Sequence, residues 1–146
     1  LIKDAKEQKV KTKVIHSASI LDAVSETGLQ LYKFGKITSM PKWQKNYEPD
    51  SFAETIIENQ KISAHTLILC DIGLSFRTAI TQLQKAIKNK NIKINKIISC
   101  SKMGTQNSKI IYKTIQETKQ ENLENPYCLI IPGEMHFMEK EILEKS

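Results

Sequence analysis

An uninterrupted apolar run from His65 to Ile72 constrains the fold more than any other feature of this 146-residue sequence. It has the length of one β-strand, and its continuity predicts a central strand that is buried on both faces. A one-sided apolar pattern then predicts a helix over 77–88, and a further strand is predicted over 94–103. The last strand is predicted from Tyr127 to Ile131 and ends at Pro132-Gly133. Strands that alternate with helices in this way predict an α/β fold, or a mixed α+β layer fold.

Three further segments have weaker patterns. Residues 10–16 alternate loosely between polar and apolar side chains, which predicts a strand. Ser17 or Ser19 can cap a short helix after it, and Gly28 is placed to end that helix. Another helix is predicted over 51–62. A strand followed by a short turn and a helix N-terminus is a common place for a ligand, because free backbone N–H groups point outward there.

Four features leave two interpretations open. Residues 36–49 form a loop with aromatic and proline residues, which is either a pocket wall or packing over the edge of the core. The pattern over 108–117 fits a helix and a strand equally, and 118–125 is a short helix or a loop. Asp71 follows the central strand, where it is either a site residue or the cap of a turn.

The segment 136–145 predicts a terminal helix. Its spacing directs Met138, Ile142 and Leu143 inward and makes Glu139 to Glu144 a solvated face. Nothing in this segment by itself indicates catalysis.

Composition narrows the function classes. The net charge is +6, but it comes from lysines spread along the chain, and Arg77 is the only arginine. A nucleic-acid surface usually adds arginine and exposed aromatic residues, so direct nucleic-acid binding is not expected. No apolar run is long enough to cross a bilayer and no secretory signal is recognisable, so we expect a soluble, cytoplasmic protein without membrane contact. The segment 1–9 resembles the end of a helix, so we expect further sequence upstream.

The residues that most often carry chemistry form no known motif. Three cysteines lie in or beside apolar runs without a Cys-x-x-Cys pair, which predicts buried free thiols. Three histidines (His16, His65 and His136) have no metal-ligand spacing, which favours structural roles and predicts no metal. Neither a nucleophile elbow nor a glycine-rich nucleotide loop is present.

Two blocks nevertheless resemble a known family. The first is Gly28-Leu29-Gln30-Leu31-Tyr32-Lys33-Phe34-Gly35, and the second is Pro132-Gly133-Glu134-Met135-His136-Phe137-Met138-Glu139. Their sequences, order and approximate spacing resemble the diphthine synthase family, which belongs to the tetrapyrrole-methylase-like methyltransferases. The second block is similar to the archaeal type.

The resemblance implies a fold and a reaction. Members have two α/β domains, hold S-adenosylmethionine in the cleft between them and work as homodimers. Here 1–32 would be the end of the N-terminal domain and 33–146 the C-terminal domain. Members methylate the amino group of a 3-amino-3-carboxypropyl chain on a histidine of translation elongation factor 2, in diphthamide synthesis. This displacement needs positioning and no metal.

Five residues match the family's cofactor contacts: Ser19, Ile20, Cys70, Met103 and Tyr127. Relatives usually have histidine where this chain has Tyr127, so one hydrogen bond to the cofactor is expected to be lost while a backbone contact survives. The resemblance assigns no catalytic residue.

The resemblance also leaves alternatives. The family's glycine-rich strand turn and Asp-x-x-Gly loop are absent from these residues, which implies weak cofactor binding by this chain alone. A noncatalytic dimerisation or docking domain of such an enzyme is one alternative, and a methylase of a tetrapyrrole is another.

Overall fold

The computed structural model describes residues 1–15 and 19–145, and it consists of short helices around one mixed sheet. The helices are α1 (Ile2–Glu7), α2 (Ile20–Ala23), α3 (Ser51–Lys61), α4 (Phe76–Asn89), α5 (Ile115–Thr118) and α6 (Phe137–Glu144). Two 3-10 turns cover Val24–Thr27 and Leu31–Lys33. The strands are β1 (Thr38–Met40), β2 (Thr66–Cys70), β3 (Lys96–Ser101), β4 (Lys109–Thr114) and β5 (Tyr127–Ile131).

The five strands form a single sheet in the order β1-β2-β5-β3-β4. β1 and β2 are parallel, while β5 runs antiparallel to both of its neighbours, with Ile68 opposite Leu129 and Ile98 opposite Ile130. The predicted mixed α/β architecture is therefore confirmed. Because β5 is antiparallel to β2 and β3, its first residues lie beside the last residues of both.

Successive residues of each strand pack into two cores on opposite faces of the sheet. The first core joins Ile68 and Leu129 to the buried sides of α3 and α4, which contribute Phe52, Ile80 and Leu83. The second core joins Leu67 and Ile130 to Val24, Leu29 and Leu143. Both faces of β2 and β5 are therefore covered, which confirms the burial predicted from their continuous apolar runs.

Most helix ends are where their capping residues predict them. Ser19 accepts a hydrogen bond from the backbone N–H of Leu21 at 3.2 Å and caps α2. Gly28 ends the following 3-10 turn with a left-handed φ of 78°, a conformation that costs glycine nothing. The helices predicted over 51–62 and 77–88 are confirmed as α3 and α4. No helix in the described ranges is long and apolar enough to cross a membrane.

The weaker patterns are only partly confirmed. Residues 10–15 form no strand, because they are exposed and have no pairing partner, while His16 and Ser17 lie outside the described residues. The loop over 36–49 contains the short strand β1. The ambiguous segment 108–117 contains a strand followed by a helix, since β4 ends at Thr114 and α5 begins after it. The Thr114 hydroxyl caps α5 by accepting from the backbone N–H of Glu117 at 3.3 Å.

The orientation predicted for the terminal helix is confirmed for Leu143 and wrong for Met138, Ile142 and Glu139. Leu143 is buried, but Met138 is 49% exposed and Ile142 is 43% exposed. Glu139, predicted in solvent, is only 1% exposed. Residues four apart share a helix face, so Glu139 and Leu143 point inward together. The helix takes this orientation because hydrogen-bond donors surround the Glu139 carboxylate.

We expect Gly133→Ala to lower the free energy of unfolding by about 1–3 kcal/mol, because an added methyl has no space there. A Cβ on Gly133 would lie 2.4 Å from the Ser63 carbonyl oxygen, which is backbone and cannot rotate away. Gly73→Ala is the matched control, since a Cβ there meets nothing within 4 Å. Urea unfolding of both variants is the measurement, and equal stabilities would contradict the close approach at Gly133.

Candidate functional site

The candidate site is a cavity of about 600 Å³ where β2 and β3 end and β5 begins. All five residues singled out in the sequence line it: Ser19, Ile20, Cys70, Met103 and Tyr127. Ser19 and Ile20 begin α2, Cys70 and Tyr127 lie at the ends of two strands, and Met103 lies in the turn after β3. The carboxyl ends of strands are the usual location of ligands in open α/β sheets. Their convergence in space is a structural fact, whereas their role in binding a cofactor stays a prediction.

Three cysteines are among the residues that line the cavity. Cys70, Cys100 and Cys128 all line it, and Cys100 lies directly opposite Cys128 on the neighbouring strand. Cys100 and Cys128 are buried free thiols, as predicted, and Cys70 is partly buried. Of the three, sequence reasoning identified only Cys70 as a site residue. Cys100 lies close to Met103 in the sequence, and Cys128 directly follows Tyr127. This proximity is the sequence signal that would have identified both as site residues.

Two of these thiols, Cys70 and Cys100, are held in their neutral form. Burial raises the pKa of Cys70 to about 12. The hydrogen-bonding contact with Cys128, together with burial, raises the pKa of Cys100 well above its ordinary value. The thiolate is the nucleophilic form of cysteine, so Cys70 and Cys100 act at neutral pH as small apolar groups rather than as nucleophiles.

The side chain of Tyr127 is already engaged elsewhere. Its hydroxyl donates a hydrogen bond to the Leu74 carbonyl oxygen at 2.8 Å, and its ring packs edge-on against Phe76 at 5.3 Å. Burial raises the pKa of this phenol, which therefore stays protonated. A ligand in the cavity would meet the backbone of Tyr127 and not a free hydroxyl.

The turn after β3 closes another side of the cavity. Gly104, which follows Met103 in this turn, has a left-handed φ of 74°. Its backbone N–H donates to the Glu26 carboxylate at 3.1 Å, which links this turn to the 3-10 turn over Val24–Thr27. Asp71 is exposed and accepts from the backbone N–H of Lys42 at 3.1 Å. It is not among the residues that line the cavity, so the structural interpretation of Asp71 is the better one.

The chemistry available to the cavity is that of binding. Its described walls are mainly apolar side chains and backbone, and the side chains of Tyr127 and Ser19 are bonded within the protein. Within residues 1–15 and 19–145, no three His, Cys, Asp or Glu side chains are grouped to hold a metal ion. A largely apolar ligand suits such a surface.

A second cluster, which sequence reasoning missed, surrounds Glu139 at the other end of β2 and β5. One carboxylate oxygen accepts from the Gln30 N–H at 2.9 Å and lies 3.2 Å from Nε2 of His65. The other accepts from the Lys33 ammonium at 2.8 Å and from the His136 N–H at 2.6 Å. Glu139 thereby joins the two sequence blocks, which lie about a hundred residues apart, at one point. Only their contact in space identifies this cluster, because each partner is polar and unremarkable in its own segment.

The protonation state of His65 follows from its partners. Its Nδ1 accepts a hydrogen bond from the backbone N–H of Gly133 at 2.9 Å, so the proton of the neutral ring is on Nε2 and is donated to Glu139. Burial lowers the pKa of His65, and the neighbouring carboxylate only partly offsets this effect. His65 is thus a neutral structural histidine, as predicted.

Gly35, the second glycine of the first block, has no space for a side chain because it lies against Asn59. A Cβ on Gly35 would lie 2.2 Å from the Asn59 side-chain oxygen. That buried amide accepts from the Lys36 N–H at 2.9 Å and donates to the Lys36 carbonyl at 2.8 Å. The end of the first block is therefore fixed to α3.

Comparisons with known proteins agree with this fold. No family model matches the chain. Diphthine synthase of Methanococcus aeolicus is 35% identical over 152 residues, and the match covers 97% of this chain and 59% of that protein. Diphthine synthase of Methanocaldococcus jannaschii is 35% identical over 154 residues, covering 97% and 60%. A crystal structure from Entamoeba histolytica, provisionally assigned as a diphthine synthase, superposes with a TM-score of 0.92 at 26% identity. That superposition covers 99% of this chain and 63% of the other. The chain thus spans about three fifths of the relatives it matches.

We expect Glu139→Gln to lower the free energy of unfolding at neutral pH by about 3 kcal/mol, because it leaves the partly buried Lys33 ammonium against an uncharged amide. Although burial alone would raise it, the hydrogen bonds from Gln30, Lys33, His136 and His65 lower the pKa of Glu139 from 4.5 to about 2. A carboxyl group whose pKa is lowered by folding stabilises the fold at pH values above its ordinary pKa. This stabilisation is lost as the pH falls toward the pKa of the folded state. The difference between wild type and variant should therefore shrink from about pH 5 to pH 2.

Urea unfolding across this range tests the prediction. Glu141→Gln is the control, since Glu141 is an exposed residue of the same helix whose ion pair with Lys145 lies at the surface. A stability difference for Glu139→Gln that stays constant with pH would contradict the assigned pKa.

Proposed function

This chain is homologous to the diphthine synthases along 97% of its length, and we propose that it acts as part of a methyltransferase of diphthamide synthesis. The cosubstrate would be S-adenosylmethionine. The acceptor would be the amino group of the 3-amino-3-carboxypropyl chain on a histidine of translation elongation factor 2. The observation that carries the proposal is the meeting of Ser19, Ile20, Cys70, Met103 and Tyr127 around one cavity.

The cavity suits the apolar part of S-adenosylmethionine. Its volume of about 600 Å³ is within the range of roughly 300–1,000 Å³ that is usual for ligand pockets. Ile20 and Met103 offer apolar and polarizable surface for the adenine and for the carbon chain at sulfur. Backbone groups at Ser19 and Tyr127 would provide the polar contacts, because both side chains already have partners.

The state of the thiols is compatible with a methyl donor. S-adenosylmethionine supplies an electrophilic methyl group, which a neighbouring thiolate would accept. Because Cys70 titrates at about 12 and the pKa of Cys100 is also raised, both thiols stay protonated and do not compete with the amine. In the proposed reaction the amine nitrogen forms a bond to the methyl carbon, the carbon–sulfur bond breaks, and the nitrogen loses a proton.

The chain's own residues would bind and orient rather than act as acid or base. The apolar walls around Ile20, Met103 and Cys128 would limit the access of water to the sulfonium group of a bound cosubstrate. Orientation of the reacting atoms accounts for much of the acceleration in such displacements. We propose no catalytic side chain, and the charged amino-acid end of the cosubstrate would extend beyond the described lining.

Three further parts of the proposal depend on the same homology. The protein would work in the cytoplasm, where its substrate acts, and it would be a homodimer. Residues 1–32 would complete an N-terminal domain and 33–146 would form the C-terminal domain.

We expect Ser19→Trp to weaken S-adenosylmethionine binding by at least about tenfold, because the indole would fill the mouth of the cavity. Ser25→Trp is the matched control, since Ser25 is exposed and does not line the cavity. Calorimetric titration of both variants is the measurement. Equal affinities would show that the site has been assigned to the wrong cavity.

The activity is tested by intact mass of elongation factor 2 that carries the aminocarboxypropyl histidine, after incubation with S-adenosylmethionine and this chain joined to its upstream sequence. We expect a mass gain of whole methyl groups at that histidine. An unchanged mass, with folded enzyme and correctly premodified factor, would rule out catalysis and favour a noncatalytic docking role.

A further inference from the structure

Two walls of the cavity belong to segments of the chain that are far apart in the sequence. One wall is α2 with its capping residue, which contributes Ser19 and Ile20. The other wall is the turn between β3 and β4, which contributes Met103 and Gly104. The space open to a ligand therefore depends on how these two walls are held relative to each other.

The α2 wall continues into a well-anchored base. The chain passes directly from α2 into the 3-10 turn over Val24–Thr27, whose first and last residues are buried. The Thr27 hydroxyl donates a hydrogen bond to the Val24 carbonyl oxygen at 2.6 Å and accepts one from the Leu29 N–H at 3.2 Å. Glu26 is an exposed residue between these buried anchors, so its side chain extends from a fixed backbone.

The turn wall is ordered within itself and on the side of β5. The Thr105 hydroxyl donates to the Lys102 carbonyl oxygen at 2.7 Å, which closes the turn. The Lys102 N–H donates to the Pro126 carbonyl oxygen at 2.9 Å and ties the start of the turn to the residue before β5. Because these bonds couple the residues of the turn to one another, a contact at Gly104 influences the position of the whole wall.

Glu26 joins the two walls. Its carboxylate accepts a hydrogen bond from the Gly104 N–H at 3.1 Å, across 78 positions of the sequence. A Cβ on Gly104 would lie 3.8 Å from that of Ala23, so the turn and α2 approach each other closely at this point. Contact with Cys128 and burial are the main causes that raise the pKa of Cys100, and the charge of Glu26 adds to them. The carboxylate is thus near the cavity, although it is not among the described residues that line it.

We propose that Glu26 is a positioning residue for the cosubstrate, because its bond to Gly104 sets the spacing of the two walls between which S-adenosylmethionine binds. The inference rests on the proposed function, since it assigns Glu26 a part in cosubstrate binding at this cavity. Glu26 acts through the Gly104 backbone and takes no part in the methyl transfer. Walls that are already in place bind a ligand with a smaller loss of conformational freedom than walls that must first be ordered.

The test compares Glu26→Ala with Glu26→Gln in this chain joined to its upstream sequence. Alanine removes the acceptor, whereas the side-chain oxygen of glutamine can still accept from the Gly104 N–H. By calorimetric titration with S-adenosylmethionine, we expect about fivefold weaker binding for Glu26→Ala and affinity within about twofold of wild type for Glu26→Gln. Asp22→Ala is the matched control and should leave the affinity unchanged. Asp22 is an exposed carboxylate of α2 that is not among the described lining residues.

Hydrogen exchange of the Gly104 amide, measured by NMR without ligand, follows the contact itself. We expect faster exchange in Glu26→Ala than in wild type or Glu26→Gln, because loss of the acceptor exposes this amide to water. Urea unfolding of the two variants should give equal midpoints, since the bond lies at the surface.

Three outcomes would overturn the positioning role and leave the proposed function intact. The first is equal affinity of wild type and Glu26→Ala for the cosubstrate. The second is equal weakening by Glu26→Ala and Glu26→Gln, which would assign the effect to the negative charge. The third is a lower unfolding midpoint for Glu26→Ala that accompanies its loss of affinity, which would indicate general damage to the fold. Wild-type protein that does not bind S-adenosylmethionine would instead count against the proposed function, and the role of Glu26 would fall with it.

Discussion

The buried carboxylate of Glu139 is the interaction on which the rest of the structure depends. Removing a carboxylate from water is expensive unless its oxygens are fully hydrogen-bonded. Here two backbone N–H groups, one ammonium and one neutral imidazole surround it. These donors come from three separate segments of the chain, so the carboxylate is stable only when all three are in place. A polar group with this many partners specifies one arrangement, which apolar contact alone does not.

The cluster around Glu139 also helps to fix the register of β2 and β5, whose other ends line the distant cavity. His65 precedes β2 and Gly133 follows β5, so the bond between them fixes one end of that strand pair. The other end of the pair carries Cys70 and Tyr127. A slip of one residue between antiparallel strands would turn every side chain to the opposite face. The end near Glu139 therefore helps to set which residues face the cavity, although it contributes none of them.

How far the sequence predicts this structure depends on the range of the interactions. The apolar runs that became β2 and β5, and the one-sided pattern of α4, are local signals, and they located these elements correctly. The burial of Glu139 could not be predicted in this way, since its donors lie 3 to 109 positions away along the chain. Its helix seemed to direct Met138 and Ile142 inward because local spacing gives no weight to those distant donors. The grouping of the five cavity residues followed from family resemblance, and periodicity alone would not have found it.

The proposed function would place thiols beside an electrophilic methyl group, and burial of those thiols resolves this chemical conflict. An exposed cysteine is several per cent thiolate near neutral pH, and that form would be alkylated. Burying Cys100 opposite Cys128, with Leu69 on the far side of β5, removes the water that would stabilise the anion. The apolar character of the cavity thus has two effects that cannot be separated. It provides the surface for an apolar ligand, and it keeps Cys70 and Cys100 protonated, in the form that would not react with the proposed methyl donor.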